Sequence, residues 1–493
     1  MKKVLLFLID SMMPDVLERC VRKGKTPGFK FFMENGQYIN DCVTVFPTMT
    51  ASIDCSLITG VYPDQHKIPG LVWYDPDSNR VVNYINGVRQ IIELGLEQCA
   101  HNVLYDLNER HLSKDVKTIH EELEERGFTA GSINVIAHRG HHKHKIHLPF
   151  VINMATGFRF REKLSGPTIL SMGTLVKPAI FRTINWNWSH TELSSCGVND
   201  AYAIDVLLEV LKSGKQPDFT LVYLPDNDHK LHKCPQQAEE HLTEVDEQIV
   251  RFLNYFDSWE QAVEKNVVIF ISDHGQTMIG STDEHNIDLD QLLGGLKISK
   301  LGKDITPEYD VVICNNERMS LLYPLSDSVQ ADIIQSVAVD KRIDVIAWKE
   351  QEYVVVQQGA TDKRLSFKKG GSYQDPYGAQ WTVKGDLDVL DLQIAADSTI
   401  RFDSYPDALS RLYGTLFSQE VPLIVTTAAP GYEFLSEYAP THLGGGSHGS
   451  LHKQDSVIPL LIAGTDTKFP TPARLVDVKD FVMQEIMARL SPV

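Results

Sequence analysis

The feature that most constrains this chain is a set of short, unbroken apolar runs, each closed by a polar residue and separated by helix-forming stretches. "VLLFLI" (4–9) ends at Asp10 and is followed by "PDVLERCVRKG". "TAGSINV", "DFTLVYLPD" and "NVVIFISDHG" repeat the pattern further along. A strand that is apolar at every position must be covered on both faces, as in a parallel sheet between two helical layers. "DVKTIHEELEERG" reads as a helix stopped by glycine, and "AEEHLTEVDEQIVRFLNYFDSWEQAV" as one long amphipathic helix or two. The alternation predicts an α/β fold with a mostly parallel sheet flanked by helices. Sites in such sheets form at the carboxyl ends of the strands.

The opening "MKKVLLFLID" has a rival reading as a secretory signal. That reading needs an apolar core of about 7–15 residues and a small-residue cleavage site. The run here is shorter and no such site follows, so the strand is preferred, carrying Asp10 to its end. No stretch approaches the ~20 apolar residues of a membrane span. The seven cysteines (Cys20, Cys42, Cys55, Cys99, Cys196, Cys234, Cys314) are scattered and never form CxxC, which suggests reduced thiols. These features together predict a soluble, cytoplasmic protein. The formal charge of −18 argues against a nucleic-acid polymer as partner, but not against a small phosphate ester whose charge is met by metal ions.

With 493 residues the chain has room for more than one lobe. From about residue 309 to 404 the character changes. "YDVVICNNERMSLLYPL", "RIDVIAWKEQ", "EYVVVQQG" and "QWTVKGD" are strand candidates around one helix, "DSVQADIIQSVAV". This predicts an inserted, smaller α+β subdomain over 309–404, within a core of 1–308 and 405–493. The α/β pattern is expected to resume with "DALSRLYGTLF", "PLIVTTA" and "DSVIPLLIAG".

Polar residues follow several apolar runs: Asp10, then Asp228 and His232 in "DNDHKLH", Asp273 and His274 in "SDHG", and His448 in "GGGSHGS". Any one alone reads as a helix cap, a turn or a satisfied polar side chain. Together, three aspartates and three histidines at the ends of strands suit two zinc or manganese sites. Two such ions clamp the attacking and leaving oxygens of an in-line displacement at phosphorus. The nucleophile is then sought among hydroxyls. "VFPTMTASIDCSLITG" offers Thr48, Thr50 and Ser52 at a helix start, where a negative oxygen is favoured. Spacing alone does not choose among them.

The order of these pieces resembles the alkaline phosphatase superfamily. It runs: Asp after the first strand, "PTMT" before a helix, "TGVYPDQH", a D-x-x-x-H pair, "SDHG" and a late "SHGS". Within it the chain is similar to type I phosphodiesterases/nucleotide pyrophosphatases and to their relative phosphonoacetate hydrolase, over roughly 1–300 and 405–470. The resemblance implies an alkaline phosphatase-like core. It aligns the nucleophilic threonine with Thr50 and one metal set with Asp10, Asp273, His274 and Thr50. The other set falls on Asp228, His232 and His448. Asp226, directly after the proline, rivals Asp228, but a four-residue step from it lands on Lys230.

One departure stands out. The family's "HGIVGN", whose asparagine helps hold the developing oxyanion, reads "HKIPGLVWYDP" here, with Leu71 at that place. Loss of one such donor typically costs about 10²–10³ in rate, so another group substitutes or the substrate differs. Trp73 and Tyr74 are candidates to face a leaving group, with core packing the blander alternative. The sulfatase pattern C/S-x-P-x-R is absent, since Cys55 and Cys234 lead "CSLITG" and "CPQQA". The histidines of "AHRGHHKHKIHLPF" (His138, His141, His142, His144, His147) suggest metal by composition, but the stretch has no carboxylate and reads as a basic loop. The expected function is a two-metal phosphoesterase acting on small phosphate diesters or phosphonates, with zinc first and manganese second. The rivals are a carbon–phosphorus hydrolase, a monoesterase or phosphomutase, and a non-catalytic binding protein. The sequence sets no oligomeric state.

Overall fold

The structure is a computed structural model that describes residues 2–147, 162–178 and 197–488. Its centre is a seven-stranded sheet. In spatial order the strands are Gly36–Val43, Val457–Ala463, Asn266–Ser272, Lys3–Ile9, Phe219–Leu224, Ala130–Ile133 and Ile169–Ser171. From Asn266–Ser272 to Ile169–Ser171 all neighbours are parallel. The two remaining strands add on antiparallel.

The first strand shows why its run is unbroken. Val4, Leu6 and Leu8 face one hydrophobic cluster, while Leu5, Phe7 and Ile9 face another, and all six are buried. Side chains alternate across a strand, so a central strand needs apolar residues at both parities. Phe7 stacks on Phe270 at 4.9 Å and meets Phe252 edge-on at 5.3 Å. The helices on that face include Pro14–Arg22 and Ala238–Leu253. The long helical stretch divides into two, Ala238–Leu253 and Trp259–Lys265, with Ser258 capping the second.

Register sets the level of the site. Ile9 pairs with both Ser272 and Leu224. The three strands therefore end together, and Asp10, Asp273 and the turn before Asp228 emerge side by side.

A second sheet of seven strands is wholly antiparallel. Its order is Val311–Asn316, Met319–Pro324, Ile424–Ala428, Ile343–Glu350, Tyr353–Gln357, Arg364–Gln374 and Gln380–Gly385. Here the structure departs from the sequence reading. "PLIVTTA" was expected with the resumed core, yet Ile424–Ala428 lies inside the second sheet, between Met319–Pro324 and Ile343–Glu350. The expected boundary at residue 404 therefore does not coincide with a sheet boundary. A run apolar on both faces fits the middle of any covered sheet, and local pattern cannot say which one. "DSVIPLLIAG" does return to the central sheet as Val457–Ala463, but antiparallel.

Cys196 lies outside the described residues; the other six cysteines are free. Among the described residues no helix is long and apolar enough to cross a membrane.

Phe7 carries the packing between strand and helices, so Phe7→Ala is expected to cost about 3–5 kcal/mol through lost burial and the cavity left. A lower denaturant midpoint at unchanged slope would show it.

Candidate metal centre

The register brings Asp10, Asp273 and His274 together at the strand ends, all three buried. His274 Nε2 lies 3.5 Å from Asp10 Oδ1 and 3.5 Å from Asp273 Oδ2. Those three atoms have no hydrogen-bond partner among the described residues. The second sequence set converges beside them. His232 Nε2 is 3.2 Å from Asp228 Oδ2, and His448 Nε2 is 3.8 Å from Asp228 Oδ1. The His274 and His448 rings stack at 3.7 Å.

The histidines are held in one tautomer. His232 Nδ1 is 2.7 Å from the Gly446 carbonyl, His448 Nδ1 2.7 Å from the Thr48 carbonyl, and His274 Nδ1 3.0 Å from the Gly275 carbonyl. A carbonyl only accepts, so each Nδ1 donates, and a neutral ring turns the lone pair of its Nε2 into the crevice. Backbone carbonyls fix metal-binding histidines in this manner. Lone pairs of buried imidazoles and carboxylates facing one another repel unless a cation lies between them. The donor set fits two divalent ions on that ground.

Protons answer the same demand for positive charge. Burial, then the Asp273 and Asp228 carboxylates, hold the Asp10 carboxyl well above the usual range. Burial disfavours a charged His232, but Asp228 and Glu317 outweigh it and push its pKa up to about 10. Burial likewise raises Asp228, yet the charges of His232 and then His448 bring it well below its ordinary value. Among the described residues, the ion-pair partners of Asp10, Asp228, Asp273 and Glu317 are histidines alone. The neighbouring Arg318 is spent on Asp455, at 2.5 and 2.6 Å.

The three candidate hydroxyls now separate. Thr48 Oγ1 accepts from Gly449 N–H at 2.8 Å and donates to the Ser450 carbonyl, while Ser52 Oγ donates to the Ile68 carbonyl at 2.9 Å. Thr50 opens the Thr50–Thr59 helix, half-buried, and its hydroxyl has no hydrogen bond among the described residues. The Thr48–His448 contact sets that helix start beside the crevice. Asp226 does something else: it exchanges backbone-to-carboxylate bonds with Asp200, at 3.0 and 3.3 Å.

Several supporting residues escaped the sequence reading. Ser11, at φ 56°, gives its hydroxyl to Asp228 Oδ1 at 2.8 Å, its amide to Asp273 Oδ1 at 3.0 Å, and lies 3.2 Å from His274 Nδ1. Tyr223 donates to Asp10 Oδ2, and Gln276 to Asp228 Oδ1 at 2.5 Å. Asn227 clamps the carbonyls of Asp10 and Ser11 at 2.8 and 3.0 Å. Glu317 reaches the same crevice from the second sheet. Close approach explains two glycines: a Cβ at Gly275 would collide with the Gln454 carbonyl, and one at Gly445 with that of His232.

At the Leu71 departure the structure supplies an asparagine of different use. Asn316 Oδ1 accepts from Leu71 N–H at 2.8 Å and Val72 N–H at 3.0 Å, and its amide donates to the Val72 and Cys314 carbonyls. It is a backbone clamp with no donor left over. Trp73 and Tyr74 are core residues, packed edge-on against His111 and Tyr323. In the histidine-rich stretch, His138 is buried with its Nδ1 on the Ser165 carbonyl. None of its five histidines joins a group of metal-capable donors among the described residues.

The model of the type I phosphodiesterase/nucleotide pyrophosphatase family matches residues 4–451. No curated protein matches the chain. Among solved structures, murine ectonucleotide pyrophosphatase/phosphodiesterase 5 is similar over 99% of this chain and 95% of its own, at 15% identity and a TM-score of 0.59. Phosphonoacetate hydrolase from Sinorhizobium meliloti 1021, in complex with phosphonoformate, is similar over 98% and 96%, at 14% identity and a TM-score of 0.56.

Ser11→Ala keeps the backbone and removes the hydroxyl that aligns Asp228. Its expected effect is a ~10–100-fold loss of divalent-ion affinity, read by calorimetric titration, with the thermal midpoint of the metal-free protein little changed.

Proposed function

Because this chain belongs to the type I phosphodiesterase/nucleotide pyrophosphatase family, a family of phosphoric ester hydrolases, we propose that it is a metal-dependent phosphodiesterase. It would act on small phosphate diesters, with Thr50 as nucleophile. The observation that supports this most is the gathering of Asp10, Asp273 and His274, and of Asp228, His274 and His448, into two groups of metal-capable donors, with His232 3.2 Å from Asp228 and grouped with Glu317 and His442. Thr50 is the one candidate hydroxyl left unengaged beside these groups.

Asp10, Asp273 and His274, with the Thr50 oxygen, would hold one ion; Asp228, His232 and His448 would hold the other. Zinc suits the nitrogen and oxygen donors, with manganese second. When bound, the ions lower the pKa of a coordinated hydroxyl and neutralise charge on phosphoryl oxygens. The remaining steps belong to the chain. Thr50 Oγ1 gives up its proton and bonds to phosphorus as one ester oxygen departs in line and takes up a proton; the phosphoryl group, still carrying its second ester, stays on the threonine until water cleaves that bond and restores the hydroxyl. The helix beginning at Thr50 contributes its N-terminal amides toward a negative phosphoryl group. Buried histidines and carboxylates keep their orientations throughout, which limits reorganisation during the reaction. Free cysteines support a reducing, cytoplasmic setting.

A second reading is supported by Leu71. With no asparagine donor there and Asn316 committed to backbone, a nucleotide-type site lacks one contact, and a phosphonate substrate is the alternative.

The test is hydrolysis of bis-p-nitrophenyl phosphate against p-nitrophenyl phosphate, with zinc or manganese and with EDTA. The expected result is diester preference, abolished by EDTA and lowered at least ~10³-fold in kcat by Thr50→Ala. Full turnover by Thr50→Ala would overturn the covalent route. Cleavage of phosphonoacetate in preference to both esters would favour the second reading.

A further inference from the structure

Glu317 is not part of the resemblance set, and its placement is unusual. It occupies the two-residue turn between Val311–Asn316 and Met319–Pro324, where Asn316 pairs with Met319. Its φ is 62°. The first position of such a turn usually takes glycine when φ is positive. A non-glycine residue held there signals a constraint beyond the turn itself. Its side chain is buried. Oε2 accepts from Ser447 Oγ at 3.0 Å and from the His448 amide at 3.3 Å. Both oxygens also face the histidines, with Oε2 3.6 Å from His448 Nε2 and Oε1 3.9 Å from His232 Nε2.

The two carboxylates bridge the two imidazoles. Asp228 Oδ2 is 3.2 Å from His232 and Oδ1 3.8 Å from His448, while Glu317 Oε1 is 3.9 Å from His232 and Oε2 3.6 Å from His448. A tetrahedral ion with ligand bonds of ~2.0–2.1 Å has ligand–ligand edges of roughly 3.3–3.4 Å. Each imidazole thus has one oxygen of Asp228 and one of Glu317 at 3.2–3.9 Å, close to that edge, and a rotation of the two carboxylates would turn one oxygen of each toward a shared centre. His232 can serve one ion only, since its Nδ1 is held by Gly446. His442 stacks behind it at 4.2 Å, with its own Nδ1 on Glu433.

We propose that Glu317 is a fourth protein ligand of the metal position formed by Asp228, His232 and His448, giving that position two nitrogen and two carboxylate donors. The inference rests on the two-ion reading above. It gives this half of the centre two carboxylates, matching Asp10 and Asp273 in the other. An incoming phosphoryl oxygen must either expand the coordination to five or displace Glu317.

The test is cobalt(II) titration of the metal-free protein, followed by visible absorption and metal analysis. For wild type, two ions per chain are expected. For Glu317→Gln, one site should keep its affinity while the other weakens by more than about tenfold, and the retained site reports that the fold is intact. A second measurement needs no variant: in cobalt-loaded wild-type crystals, a Glu317 oxygen should lie ~2.0–2.2 Å from one ion. Two sites of unchanged affinity in Glu317→Gln, or a Glu317 oxygen beyond ~3 Å, would overturn the inference and leave the carboxylate as an ion-pair partner of the histidines. Failure of wild type to bind any ion would instead remove the two-ion reading itself.

Discussion

The constraint on which the rest depends is electrostatic: four carboxylates, Asp10, Asp228, Asp273 and Glu317, share one largely buried crevice with three imidazoles whose Nε2 atoms point inward. Burying such a set without cations is costly. No lysine or arginine pairs with it among the described residues, and Arg318, next to Glu317 in the chain, is locked to Asp455. The arrangement makes physical sense as a receptor for positive charge. Two divalent ions would balance four carboxylates with all imidazoles neutral.

The scaffold holds this set against its own repulsion. Three parallel strands end at one level because Ile9 pairs with both Leu224 and Ser272. Ser11, Asn227, Gln276 and Tyr223 then tie the ligands to one another and to the backbone. Such supporting bonds are what make a metal centre stiff. The crevice draws on both sheets. The central sheet supplies the ligands that follow its strands, and the turn of the second sheet delivers Glu317.

Much of this was legible in the sequence, for a definable reason. Unbroken apolar runs mean strands covered on both faces, so the parallel sheet and the residues just beyond its strand ends could be read directly. Asp10, Asp273 and His274 are local consequences of that pattern. The spacing within "DNDHKLH" likewise favoured Asp228 over Asp226, which the structure shows paired with Asp200. The choice of Thr50 over Thr48 and Ser52 came from resemblance alone; hydrogen bonding in the structure now supplies an independent argument.

What was not legible depends on contacts distant in sequence. Glu317 sits in "NNERMS", a hairpin turn with no local sign of a ligand. Asn316 meets Leu71 from more than two hundred residues away. Ile424–Ala428 has the same apolar composition as a core strand and differs only in its neighbours. Trp73 and Tyr74 carry no local signal separating pocket from core. The most direct measurement is the content of divalent metal per chain after dialysis against metal-free buffer, made on wild type, Asp273→Asn and Asp228→Asn. The account predicts two ions, one and one. A wild-type protein that is folded, active on a phosphate diester and free of bound metal would contradict it.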